Sequence, residues 1–240
     1  MIRPDAAMLY PVIDGTWPAA HARHRSGWII REGQGGGSRV SAATLVDEGA
    51  EIGVAEAAMC ALGQTPLFMI RDGDAGLDQS LAGRGYVIKD PVVMFAAPLA
   101  ELTLPSPPEL RTFEVWPPLA TQREIWAEGG IGAGRLAVMQ RADCPKTTIL
   151  GRVGDHPAGT GYVGIGNGCA MIHALEVRRD FRRNGLARQI TVAAALWAQK
   201  QGATSLALVT TMANAASRTL YASLGMSVVG HYHYRILNEA

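Results

Sequence analysis

The 240-residue sequence is sparing with charge and more sparing with aromatics: 18% is Asp, Glu, Lys or Arg, and 6% is Phe, Trp or Tyr. Acidic and basic residues nearly cancel, leaving a formal charge of +1. Holding a nucleic-acid backbone needs a broad basic surface that displaces counterions, so composition argues against that partner. No apolar run reaches the ~20 residues that cross a bilayer, and the opening "MIRPDAAMLYPVIDG" has no signal-peptide core. No membrane partner is expected. The three cysteines, Cys60, Cys144 and Cys169, have neither metal-ligand spacing nor a disulfide pattern. They read as unpaired thiols of a reducing compartment, so a soluble cytoplasmic protein without a metal is expected.

What is present is apolar chain in quantity, enough for one large domain or two small ones. The prolines of "PSPPEL" (105–110) remove backbone donors and bias their neighbours to extended forms, which makes this stretch the expected linker. It divides a segment 1–104 from a segment 105–240. On both sides strands and helices alternate, the pattern of an α/β chain.

After the linker, "RTFEVW" reads as a strand and "PPLATQREIWAEG" as a helix with proline at its start, followed by a short helix in "GRLAVMQRA". Strands follow in "KTTILGRV", "TGYVGIG" and "CAMIHALEV", the first two joined by a turn in "GDHPAG". Leu186, Ile190, Ala193 and Trp197 recur at helical spacing, then "TSLALVTT" is a buried strand, "NAASRTLYASLG" a helix and "MSVVGHYHYRI" a final strand. Before the linker, "EIGVAEAAMCALG", "TPLFMIR", "DAGLDQSLAGRG" and "YVIKDPVVMFAAPL" repeat the last third of that order. Setting Gly85 on Gly225 places Leu81 on Tyr221 and Asp74 on Asn214. A diverged internal repeat is the reading. "GQGGGS" (33–38), between "GWIIRE" and the alternating "RVSAATLV", reads as a hairpin connection.

Against this background "EVRRDFRRNGLARQI" (176–190) crowds five arginines and a glycine between an apolar strand and an apolar helix. The first N–H groups of a helix have no partner inside it, and they lie at the positive end of its dipole. A strand-to-helix turn there is an anion site, with Gly185 allowing close approach and Arg182, Arg183 and Arg188 adding charge at the rim. It has no Lys-Ser/Thr after the glycine, as a Walker loop would, and only one glycine, unlike the dinucleotide fingerprint. Thirty residues on, Asn214, Ser217 and Tyr221 fall on one helix face beside a separate apolar stripe of Ala216, Leu220 and Leu224. A polar stripe carrying a tyrosine beside an anion site points to a ligand cleft between the two helices.

"RRNGLA" resembles the Arg/Gln-x-x-Gly-x-Gly/Ala loop of the GNAT acetyltransferase superfamily, which binds acyl-CoA pyrophosphate. "NAASRTLYASLGM" resembles the second signature of that family, with Ser217 for the usual alanine and Met226 for the usual phenylalanine. The resemblance spans Glu109 to Ile236, and the whole chain resembles a tandem GNAT protein whose N-terminal half is degenerate. It implies a mixed central sheet flanked by helices and direct transfer of an acetyl group from acetyl-CoA to a primary amine, of a small molecule or a peptide. It further implies CoA contacts at Leu175, Val177, Arg182, Arg183, Asn184, Gly185, Leu186, Ala187, Arg188, Asn214, Ser217 and Tyr221. Val177 would present an N–H to the thioester oxygen and Tyr221 a proton to the leaving thiolate. A base is needed too. Glu176 is the nearest carboxylate and His173 lies three positions back, and alternation sends the two to opposite faces unless the strand bulges. The N-terminal half lacks every signature residue, so it is expected to complete the core or wall the acceptor cleft, in a monomer with an internal pseudo-dimer or in a homodimer. A non-catalytic acyl-CoA-binding module, or a transferase of longer acyl groups, is the alternative; Asn214 together with Tyr221 favours the enzyme. His231 and His233 share a strand face without a third ligand and read as an outward polar face. Trp116, Trp126 and Trp197 read as core or cleft wall.

Overall fold

Residues 3–104 and 111–237 are described by a computed structural model; the expected linker at 105–110 lies outside the described residues. The N-terminal half runs α1 (Ala6–Thr16), β1 (His21–Arg25), β2 (Trp28–Glu32), α2 (Ser38–Ser41), β3 (Thr44–Leu45), α3 (Ile52–Ala61), β4 (Leu67–Arg71), α4 (Ala75–Gly83) and β5 (Tyr86–Pro98). The C-terminal half runs β6 (Thr112–Val115), α5 (Ala120–Glu128), α6 (Ala133–Arg141), β7 (Lys146–Val153), β8 (His156–Gly166) and β9 (Cys169–Val177). It closes with α7 (Leu186–Lys200), β10 (Ser205–Thr211), α8 (Ala215–Ser223) and β11 (Ser227–Leu237). Strands β1–β3 form a small sheet. The other eight form one mixed sheet in the order β4-β11-β5-β10-β9-β8-β7-β6.

That order interleaves the two halves. Strand β5 lies between β10 and β11, and β11 lies between β5 and β4. The repeat read from the sequence carries through to hydrogen-bond register. Arg71 pairs with Tyr232 and Leu67 with Ile236; the shift that sets Gly85 on Gly225 converts these into Thr211 with Val92 and Ala207 with Ala96, which are pairs of β10 and β5. Val92 and Tyr232 are related by the same shift and pair with each other, so a pseudo-two-fold axis passes between them. Each half lends its last strand to the other, an isologous interface built within one chain.

Two layers of helix cover this sheet. On one face α7 and α8 share a core with Val93, Phe95, Ala97 and Leu99 of the N-terminal half. Helix α7 buries the expected stripe of Leu186, Ile190, Ala193 and Trp197. It lies close to the sheet because a Cβ on Gly151 or Gly159 would come within about 3 Å of Leu186 and Ile190. On the other face α1 packs Leu9, Val12 and Ile13 against Met94, Met171, Tyr232 and Tyr234.

One helix went unread and three local expectations need correction. Helix α1 was not legible because Pro11 interrupts it; Asp5 caps its start by accepting from Met8 N, and Pro11 and Ala7 are exposed, so water can satisfy the carbonyl that Pro11 leaves unpaired. "GQGGGS" is not a hairpin: it turns into α2 and packs on α6, where a Cβ on Gly36 would stand 2.6 Å from Val138 and one on Gly134 would stand 2.4 Å from the Gly35 carbonyl oxygen. The turn expected in "GDHPAG" is confined to its start, and His156 to Gly159 belong to β8. Helix α5 begins at Ala120, past the prolines, with the Gln122 side chain accepting from Leu119 N.

Cutting the chain inside 105–110 tests the exchange. Residues 105–240 alone are expected to show no cooperative thermal transition, because β10 and β11 lose the strand between them, whereas co-expression with 1–104 should return a stable one-to-one complex. A folded, isolated C-terminal half by near-UV circular dichroism would contradict it.

Candidate active site

Strands β9 and β10 pair in parallel only from Cys169–Ser205 to Ile172–Leu208. Beyond that point β9 continues to Val177 and β10 to Thr211 with no ladder between them, so the sheet splits open. A split in a sheet exposes backbone groups on both lips, and the inner lip here is β9.

The β9 lip is bulged. Its register against β8 steps between Glu176–Thr160 and His173–Tyr162, so Ala174 and Leu175 together face Gly161. Ala174 sits at φ +51°, and Trp126 Nε1 donates to its carbonyl at 2.7 Å. One extra residue reverses the alternation downstream. His173 and Glu176 therefore share a face, against the opposite placement that regular alternation predicts. Leu175 turns to the other side and packs with the α7 core.

The two residues differ in what they can do. His173 is buried, stacked on Trp17 with ring centroids 5.0 Å apart. The Thr16 hydroxyl donates to the Val12 carbonyl at 2.7 Å, so it accepts from His173 Nε2 at 2.8 Å. Nδ1 then accepts from Arg39 Nη1 at 3.0 Å. This network assigns a neutral Nε2–H tautomer with its lone pair occupied. Burial and the adjacent Arg39 push the His173 pKa well below its ordinary value, in the same direction. His173 is thereby removed as a base. Glu176 is partly buried, accepts from Arg182 Nη2 at 3.1 Å, and lies against Gly129, where a Cβ would come within 2.7 Å of its carboxyl carbon.

Val177 follows from backbone geometry. Arg178 N donates to the Ala158 carbonyl on β8, and successive N–H groups of a strand point to opposite edges, so the Val177 N–H points into the split. Its carbonyl, on the same edge, accepts from Arg182 Nε at 3.0 Å.

The arginine turn leads from there into α7. Arg183 has φ +68° and Gly185 φ +75°, the latter at the N-cap, and no side chain caps the helix. A Cβ on Gly185 would touch nothing, so its left-handed conformation is the reason for glycine. The N–H groups of Leu186, Ala187 and Arg188 thus begin a 15-residue helix without a cap side chain. Asn184 Nδ2 donates back to the Phe181 and Arg182 carbonyls and holds the turn. Arg188 Nη1 donates to Ser223 Oγ at 2.9 Å, tying α7 to α8.

On α8 the polar stripe is partly spent on the helix itself. Asn214 Oδ1 caps the first turn by accepting from Ser217 N at 3.1 Å. Tyr221 is buried, its ring centroid 5.8 Å from that of Phe95, a residue of the N-terminal half. Burial pushes its pKa up to about 12, with Ser217 pulling it back slightly, so the phenol keeps its proton at neutral pH. Sequence reasoning had no means to find Phe95 or Arg39, since both arrive through the exchange between halves. Trp126 and Trp197 are buried, and Trp116 is an exposed wall with Lys146 Nζ 4.8 Å from its ring centroid. Of the two late histidines, His233 bonds Asp78 at 2.8 Å, which Arg235 also holds.

Comparison with known proteins fits this arrangement. The sequence profile of the acetyltransferase (GNAT) family matches residues 102–226. No curated protein matches the chain. Among solved structures, a GCN5-related N-acetyltransferase from Kribbella flavida aligns over 100% of this chain and 98% of its own, with 16% identity and a TM-score of 0.75. A GCN5-related N-acetyltransferase from Sphaerobacter thermophilus aligns over 81% and 71% with 16% identity and a TM-score of 0.61. A tandem GNAT protein from the clavulanic acid biosynthesis pathway aligns over 81% and 74% with 13% identity and a TM-score of 0.56. At such identities the likeness concerns the fold, whereas the profile match covers more than half of the sequence. This chain belongs to the GNAT acetyltransferase family and is an acyltransferase.

Proposed function

We propose that the chain transfers an acetyl group from acetyl-CoA to a primary amine by direct attack in a ternary complex. The observation that carries this reading is the uncapped, arginine-flanked start of α7 beside a split strand whose Val177 N–H points inward. The CoA pyrophosphate sits on the N–H groups of Gly185 to Arg188, with Arg182, Arg183 and Arg188 around it and Asn184 shaping the turn. Leu175, Ser217 and Asn214 flank the pantetheine arm between α7 and α8.

The reaction divides among few groups. The amine nitrogen attacks the thioester carbon, and the negative charge that develops on its oxygen is met by the Val177 N–H. The carbon–sulfur bond then breaks. A thiol has a pKa near ~8.5 by analogy with cysteine, so complete proton transfer from a phenol at about 12 is uphill. Tyr221 therefore stabilises the leaving sulfur as a hydrogen-bond donor, and water completes the protonation. Glu176, on the face opposite α7, takes the proton that the acceptor ammonium must lose before attack, directly or through water. A panel of amines incubated with acetyl-CoA and with longer acyl-CoAs, read by mass detection of products, tests the whole scheme. Transfer of longer chains only, or of none, would overturn it.

Gly185→Val should weaken CoA binding at least ~10-fold and lower the melting temperature by a few degrees without unfolding the chain, because φ +75° is strained for a β-branched residue and its side chain enters the ligand's space. Unchanged affinity by calorimetry would place the pyrophosphate elsewhere. Tyr221→Phe keeps the ring packing and removes the donor, so kcat should fall roughly 10²-fold with KM for acetyl-CoA nearly constant. A rise in KM alone would make the tyrosine a binding group. One CoA per chain is the expected stoichiometry at saturation, since Leu81 and Asp74 replace Tyr221 and Asn214 in the N-terminal half; two would contradict a single site.

A further inference from the structure

Arg39 of the N-terminal half reaches the split strands. Its Nη1 is 3.0 Å from His173 Nδ1, and His173 is the first residue of β9 past the last β9–β10 pair, Ile172–Leu208. The guanidinium therefore lies at the apex of the opening. It lies on the α1 face, with Thr16 and Trp17, opposite the face on which α7 and α8 pack. An acyl group held between α7 and α8 meets its acceptor from that side.

The surroundings of Arg39 are polar and lack an anion. Tyr232 and Tyr234 lie beside it, and their rings pack edge to face at 5.6 Å. Arg39 Nε and the Tyr232 hydroxyl are buried without a hydrogen-bond partner among the described residues. Tyr232 itself is 3% exposed. Of the neighbouring cations, Arg31 pairs with Asp14 at 3.0 Å, and Arg71 covers the Tyr10 ring at 4.2 Å, its own Nε also without a hydrogen-bond partner among the described residues. No carboxylate pairs with Arg39 among the described residues. A guanidinium withdrawn from water without an anion is unfavourable, and a packed fold has little reason to place one there for stability. With Nη1 on His173, the Nε edge faces neutral tyrosine hydroxyls and, among the described residues, no anion, and a planar carboxylate matches that edge.

We infer that the acceptor is an amine that also carries a carboxylate, and that Arg39 and the Tyr232 hydroxyl receive that carboxylate at the apex of the split. The inference rests on the acyl-transfer reading above and narrows its substrate class. His173 is then a positioning residue: its Nδ1 holds the arginine, and its depressed pKa keeps it neutral beside that cation. Trp17 and Thr16 fix the imidazole in turn.

Matched pairs of acceptors test this on the whole protein with acetyl-CoA: alanine against ethylamine, phenylalanine against phenethylamine, arginine against agmatine. The carboxylated member of at least one pair should be acetylated with a kcat/KM about 10- to 100-fold higher, the value of a charged hydrogen-bonded contact. Arg39→Lys, which keeps the charge and loses the fork, should erase most of that preference while acetyl-CoA affinity and melting temperature stay near wild type; Tyr232→Phe should reduce it in part. Equal rates within every pair, or a preference untouched by both variants, would overturn the inference while leaving acyl transfer intact. Where no amine is turned over, calorimetry of the same pairs in the presence of CoA reads the contact directly. A carboxylate preference in binding would then support the inference and sink the transfer reading, and equal binding would sink the inference.

Discussion

The exchange of β5 and β11 across the pseudo-two-fold axis is the constraint on which the rest of the molecule depends. A sheet edge carries unpaired N–H and C=O groups, and β10 without β5 would present such an edge directly beside the split. With β5 in place, β10 is held from one side along its full length, Ser205–Pro98 to Thr211–Val92, while its other side is held by only four pairs to β9. The opening can therefore persist without loosening the sheet. Phe95 on the same borrowed strand backs Tyr221, so the N-terminal half packs directly on a candidate-site residue of the C-terminal half. Burying a phenyl ring of this kind contributes about 2–3 kcal/mol, enough to matter against the small net stability of a domain.

A second constraint acts along β9. The bulge at Ala174 and Leu175 turns Glu176 and His173 to one face, leaves Leu175 on the other, and leaves the Val177 N–H in the gap. Trp126 secures it from α5 through the Ala174 carbonyl, and Gly129 at the end of the same helix makes room for the Glu176 carboxylate. Helix α5 thus sets the position of a side chain on β9 that is distant from it in sequence. Small changes at Gly129 act on that carboxylate directly, since any side chain there would collide with it.

Legibility in the sequence followed the range of the physics. Local signals were reliable: the helical stripe of α7, the strand runs of β7 and β9, and Gly185 before an apolar helix each depend on neighbours within a few residues. The repeat was legible as element order and proved true to single-residue register. Features set by distant partners were not legible. The bulge answers to Trp126, the neutrality of His173 answers to Thr16 and Arg39, and the cap at Asn214 competes with the ligand role its place on the stripe had implied. "GQGGGS" misled for a related reason. Its glycines serve close approach to α6, which only the fold reveals, and local pattern reads them as a flexible turn.

The two halves show how a duplicated fold divides its labour. At the positions related by the repeat, Leu81 stands for Tyr221 and is fully buried in the core of α3, α4 and β4. Its role is packing, and a hydroxyl there would be a buried polar group in need of a partner. Asp74, for Asn214, keeps a turn-closing part by accepting from Arg71 N at 2.9 Å. The turn-closing position keeps a polar side chain in both halves, whereas the position of the buried tyrosine is apolar in the N-terminal half. The N-terminal half places a polar group of its own, Arg39, against His173 on the α1 face of the sheet. The symmetry of the sheet and the asymmetry of its two faces are compatible because the ladder constrains backbone, whereas the site is made of side chains.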